Sequence, residues 1–348
     1  MKTASAILLF AAALQAGSTP PQALLVLSKG DNALAIVDPS NLNILARIPC
    51  GPDPHEVIAS SDGKLAYVSN YGGGAYNTLS VIDLIAQKAL QPIDLGPLRG
   101  PHGLAYLDEK VWFTAEGAKA IGRYDPASKK VDWILGTGQN RTHMIWVSED
   151  LQHVVTSNVS SATITMIDKT VVRGGPPGPP PGSGGGAPPG GGPPGPPRAD
   201  WNEIVVPVGR GSEGFDVSPD GKQIWVANAQ DGTISIIDVA DRSVVQTLDA
   251  DVKGANRLKF TPNGRLVFVS TLGGSAVSVF DASTRKLVKQ VETGHGAAGI
   301  LMQPDGARVF VACTPDDYVA IIDPASLTVT GRIQPIKHPD GLAWATAR

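Results

Sequence analysis

Cysteine is scarce in this chain: among 348 residues only Cys50 and Cys313 carry a thiol. Two thiols cannot build a disulfide framework, so packing has to hold the fold together. Long apolar runs are missing too. Past the N-terminus no stretch reaches the roughly 18 consecutive apolar residues of a membrane-spanning helix. Nor is there a surplus of basic charge, since 29 Lys and Arg stand against 32 Asp and Glu for a formal charge of −3. Without a positive field the chain has no long-range attraction for nucleic acid or anionic lipid. Sustained helical periodicity is absent after the leader, and so is the Gly-x-Ser-x-Gly elbow of Ser/His/Asp hydrolases. The glycine-rich "GRGSEG" at Gly209 and "GGG" at Gly72 precede no helix, so neither is a phosphate loop.

Glycine and proline, by contrast, are abundant, at 40 and 29 residues. That points to many tight turns, to a low-complexity insert, or to both. The chain opens "MKTASAILLFAAALQAG", with one Lys ahead of an apolar run from Ala6 to Leu14 and small residues after it. This is the pattern of a secretory signal peptide over residues 1–16, too short to span a bilayer as a helix. A periplasmic or secreted location is the expectation.

Internal repeats decide the fold class. A β-branched run ending in Asp recurs as "LAIVD" at Asp38, "LSVID" at Asp83, "AIGRYD" at Asp125, "ITMID" at Asp168, "ISIID" at Asp238, "VSVFD" at Asp281 and "VAIID" at Asp323. The gaps are 45, 42, 43, 70, 43 and 42 residues. The long gap contains a Pro/Gly-rich insert, residues 173–198, and without it the spacing is 44. The chain is therefore seven copies of a unit of about 43 residues.

Each copy reads as four short strands. A turn such as "SPDGK" at Ser218 or "TPNGR" at Thr261 joins the first strand to the second, with Pro setting φ and Gly accepting φ > 0. The repeated Asp ends the third strand and is expected to cap the next turn through its own backbone. Four antiparallel strands at this period predict an all-β, seven-bladed β-propeller over residues 22–348. The first copy lacks a first strand, and the C-terminal "HPDGLAWATAR" supplies one, so the C-terminal strand should join the N-terminal blade and close the ring. The insert falls between the third and fourth strands of blade four and is expected to be disordered, because its composition cannot bury a core.

"AYVSNYGGGAYNTLSVIDL" and "IWVANAQDGTISIIDV" resemble the YVTN repeat of exported, YncE-like propellers. The resemblance extends over all seven units. It implies the propeller fold and leaves function open, since lactonases and haem-d1-binding domains share that architecture.

Three of the six histidines recur at one place. His55, His102 and His143 stand at the starts of consecutive first strands, where Glu213, Asn256, Ala298 and Asp340 follow on the other blades. First strands line the central channel of a propeller, so these residues should ring one mouth. Neighbouring loops add Tyr71, Tyr76, Glu116, Arg141, Arg257, His295 and Asp316 to that face. Several readings of the ring stay open. The histidines can line a water-filled channel, or the mouth can be a ligand site formed by His55, His102, His143, Glu213, Arg141, Asn256 and Asp340. Alternatively, His55, His102 and His143 can hold Zn or Cu, with Glu213 as ligand or general base.

The leading expectation is a monomeric binding or scaffold protein whose channel mouth takes a small ligand or an envelope protein. The competing class is a metal-assisted hydrolase or lactonase-like enzyme, and haem or copper handling is a third. Cys50 and Cys313 fall on neighbouring blades and toward the same face, so a bridge or a soft-metal site between them is a further expectation.

Overall fold

The computed structural model describes residues 18–172 and 197–347. The leader expected over 1–16 and nearly all of the insert lie outside the described residues. The described chain is seven antiparallel sheets arranged as a propeller ring. Six sheets have four strands, and that of blade two has its fourth strand in two pieces, Lys88–Ala89 and Ile93–Asp94. Pro92 lies between the pieces and has no N–H to offer the ladder. Among the described residues no helix is long and apolar enough to cross a membrane.

Burial follows the layering of a ring. The middle strands of a blade are covered on both faces by neighbouring blades. Accordingly Ala33–Val37 is buried throughout, and its sequence "ALAIV" is apolar without alternation. Outer strands have one wet face, so Lys130–Gly136 alternates between exposed and half-buried positions. The apolar core sits between blades. Leu25, Leu34 and Ile36 of blade one pack with Val57, Ala66 and Ile82 of blade two. Each such side chain contributes about 1.5–3 kcal/mol on burial.

The C-terminal strand Pro339–Thr346 pairs with Gln22–Ser28, with Leu25 opposite Ala343, and closes the ring as expected. Six of the recurrent aspartates cap the next turn. Asp38 accepts from the Ser40 N–H at 2.8 Å, Asp83 from Ile85 at 3.0 Å, and Asp323 from Ala325 at 2.8 Å. Asp125, Asp238 and Asp281 do the same.

Asp168 corrects the expectation. No turn follows it, because Thr163–Val172 runs straight on and pairs with Arg198–Pro207 up to Val172 opposite Arg198. Its carboxylate meets His153 Nδ1 at 2.7 Å and Arg242 at 2.5 Å instead. Arg198, expected to be the last residue of the insert, is therefore already in a strand.

The two cysteines are free. Cys50 packs against the cluster between blades one and two, and Cys313 lies in the cluster between blades six and seven. Burial raises both thiol pKa values, Cys50 to about 12 and Cys313 to about 11. The expected bridge does not form.

Candidate functional site at the channel mouth

The innermost strands begin at Pro54, Pro101, Thr142, Ser212, Ala255, Ala297 and Pro339. The second residue of each is His55, His102, His143, Glu213, Asn256, Ala298 or Asp340, in agreement with the ring read from the sequence. A bulge lies at this point of every inner strand. In blade two, Pro54 faces Asn70 and Val57 faces Val68, so one extra residue is accommodated between the two pairs. Blade four repeats this between Thr142 and Ile145. Bulges re-aim side chains that a regular pleat would send to the blade faces.

The third residue of each inner strand separates close approach from closure. It is Gly in blades three, five, seven and one: Gly103, Gly214, Gly299 and Gly341. A Cβ on Gly103 would sit 2.6 Å from the His143 carbonyl, and one on Gly341 would sit 2.6 Å from that of His55. Glycine thus lets adjacent inner strands crowd together. Where a side chain is present, two of them span the channel. Arg257 of blade six donates to Glu56 of blade two at 2.5 Å. Arg257 is buried, and the facing carboxylate raises its pKa against the opposing effect of burial. The pair bridges the channel between blades two and six.

Around the mouth the side chains form two linked groups. In the first, Lys29 Nζ contacts Asp53 at 3.1 Å, Asp340 at 3.2 Å and His55 Nδ1 at 2.7 Å. Asp53 is held well below the usual carboxylate range, chiefly by His55 and also by Lys29.

In the second group His143 is buried between two carboxylates. Its Nδ1 contacts Glu116 and its Nε2 lies 2.9 Å from Glu213. Burial disfavours charge on this ring, yet the two carboxylates together outweigh that and raise its pKa. Glu213 pays the same desolvation penalty, and His143 with Arg257 and Arg141 still lowers its pKa to about 2. Tyr71 donates its hydroxyl to Glu116 at 2.5 Å. Arg141 spans Glu116 at 3.5 Å and Glu213 at 3.6 Å, with 41% of its side chain exposed.

His102 lies between the groups. It is fully buried, and neither ring nitrogen has a hydrogen-bond partner. Its ring is 3.6 Å from that of His143, 4.5 Å from that of His55 and 5.2 Å from that of Tyr71, centroid to centroid. Burial first, then the charge of His143, drives its pKa well below the ordinary value and keeps it neutral.

The donor atoms close enough to share an ion, among the described residues, belong to His102, Glu116 and His143, all within 4.8 Å. This differs from the expected set of His55, His102 and His143 with Glu213. Lys29 occupies the His55 nitrogen, and Glu213 stands on the far nitrogen of His143. Arg141, Asn256 and Asp340 line a mouth cavity of about 480 Å³ together with His143, Glu213 and Arg257. Asn256 also donates to the Ala298 carbonyl at 3.1 Å. Tyr76 is largely exposed, and His295 pairs with Asp316 outside the cavity lining. Glu56, Lys29 and Asp53 were not anticipated. The alternation of Gly with Glu56, Met144 and Arg257 at one strand position is the signal that could have found Glu56.

A family model described as the cytochrome D1 heme domain matches residues 197–311. That stretch is the outer strand of blade four, blades five and six, and the start of blade seven. A search of curated proteins finds no significant match. Solved structures are similar in fold. A functionally unknown protein from Desulfotomaculum acetoxidans superposes with TM-score 0.72 at 15% identity, covering 94% of this chain and 99% of its own. A candidate 6-phosphogluconolactonase from Bacteroides uniformis gives 0.69 at 14%, covering 93% and 99%. The dihydro-heme d1 dehydrogenase NirN, in complex with DHE, gives 0.62 at 15%, covering 92% of this chain and 65% of its own. Likeness at these identities is likeness of fold.

Proposed function

We propose that this chain is an exported YVTN-type propeller that binds a small polar ligand in the cavity at its channel mouth. One observation carries the reading. The Glu56–Arg257 pair spans the channel at 2.5 Å, and Arg257 lines a cavity of about 480 Å³. That volume lies in the range of small-molecule sites. Arg141 is the group that would meet the ligand. Its contacts to Glu116 and Glu213 are long, at 3.5 and 3.6 Å, and its guanidinium stays exposed. The YVTN assignment is supported by the asparagines that end second strands. Asn70, Asn158 and Asn228 each donate to a third-strand threonine hydroxyl, Thr78, Thr163 or Thr233.

Haem is a poor fit. The matched stretch 197–311 contributes Glu213, Asn256 and Arg257 to the cavity. Its single histidine, His295, is held by Asp316 outside that lining. His102, whose nitrogens are unpartnered, is covered by His55, Tyr71 and His143.

The test is a thermal-shift panel of mono-, di- and tricarboxylates and sugar phosphates. A saturable rise in Tm with one member, absent in Arg141→Ala, supports the reading. A panel without any rise, or one that Arg141→Ala leaves unchanged, contradicts it.

A further inference from the structure

We propose that His102, Glu116 and His143 form a site for one divalent transition ion of the Zn²⁺ type. Three observations carry this independently of the organic ligand. First, His102 is fully buried and both its ring nitrogens lack partners. An imidazole in that state forgoes hydrogen bonds that water would supply, and a buried polar group without a partner calls for an explanation. Second, the donors of His102, Glu116 and His143 lie within 4.8 Å of one another. Small side-chain adjustments bring such a set to the roughly 2.0–2.2 Å bonds of Zn²⁺ with imidazole and carboxylate. Two imidazoles and one carboxylate are the donor types that a borderline divalent ion prefers.

Third, the surroundings suit an ion in both support and charge. Glu213 holds His143 Nε2 at 2.9 Å, leaving Nδ1 as the ligand atom on the side of Glu116. Tyr71 fixes the other oxygen of Glu116 at 2.5 Å. A carboxylate behind a ligating histidine and a hydrogen bond behind a ligating carboxylate are the usual supports of a metal site. The linked groups hold five carboxylates, Asp53, Glu56, Glu116, Glu213 and Asp340, against the permanent cations Lys29, Arg141 and Arg257. His143 is a further cation while protonated; an ion on Nδ1 replaces that proton, and its two charges then balance the two carboxylates left over.

The experiment uses the full chain, exported and purified without a histidine tag, stripped with chelator and titrated with Zn²⁺ by calorimetry. Co²⁺ absorption reports the coordination. The expected result is one ion per chain, weakened on the order of 100-fold or more in His102→Gln and in Glu116→Gln, with His153→Ala, at a residue that pairs with Asp168 away from the mouth, unchanged. A wild-type Co²⁺ spectrum of tetrahedral type should be lost in the same two variants. Circular dichroism shows whether each variant is folded, and Glu116→Gln retains the shape of the native side chain should His102→Gln fail. Absence of binding, or equal binding in all four proteins, overturns the proposal. Equal binding would mean exposed histidines such as His295 take the ion.

Discussion

Glu56 and Arg257 are 201 residues apart in sequence and meet at 2.5 Å across the channel, from blades two and six. Removing one partner leaves the other charge buried, and that is costlier than removing both. Glu56→Ala should lose about 3 kcal/mol of unfolding free energy by denaturant titration, the low end for buried pairs because Glu56 keeps some solvent contact. Glu56→Leu combined with Arg257→Met should recover most of that loss. A loss under about 1 kcal/mol in Glu56→Ala would show that the pair is not closed in solution.

Acid should weaken the mouth through its carboxylates. Glu213 has its folded pKa lowered to about 2 despite desolvation, by His143, Arg257 and Arg141. A depressed carboxylate stabilises the fold above its unfolded pKa, near 4.5, and that contribution fades as pH falls toward 2. His143 acts in the opposite sense. Its raised pKa contributes below about 6.5 and is lost as pH climbs through the folded value. The Tm of Glu213→Gln should therefore fall less than that of the wild type between pH 4.5 and 2. Parallel curves would remove Glu213 from the account.

The thiols should be silent. Burial raises Cys50 to about 12 and Cys313 to about 11, so almost no thiolate exists at pH 8. N-ethylmaleimide should label neither residue in the native protein and both after denaturation. Native labelling of Cys313 would mean that blade seven opens.

Closure and insertion predict opposite outcomes of deletion. Truncation at residue 338 removes the strand that pairs with Gln22–Ser28, exposing Leu24 and Val26 with their unpaired backbone. Limited proteolysis should then cut within blade one. Replacing residues 174–196 by a two-residue Asn-Gly turn should change stability by less than about 1 kcal/mol, because Val172 and Arg198 are already paired. A large loss would show that the insert contributes to the fold.

The ring was legible because an Asp spaced at about 43 residues aligns every blade, and that alignment places His55, His102 and His143 on equivalent strands. What each side chain contacts was less legible. The bulges at the strand starts depend on pairing register, so the descent of Glu56 and Arg257 into the channel has no local pattern. Lys29 enters from the loop of blade one and contacts His55 Nδ1, a pairing across one blade boundary that the repeat alignment does not show. Asp168 carries the same motif as its equivalents but lost its turn to the lengthened hairpin.

The most direct test of a binding pocket at the channel mouth is calorimetric titration of the best panel ligand into wild type, Arg141→Ala and Arg210→Ala. Arg210 is an exposed arginine paired with Asp231 and serves as the control. The account predicts one ligand per chain, at least about tenfold weaker in Arg141→Ala and unchanged in Arg210→Ala. Affinity that is equal in all three, or that falls equally in both variants, would place the ligand somewhere other than the channel mouth.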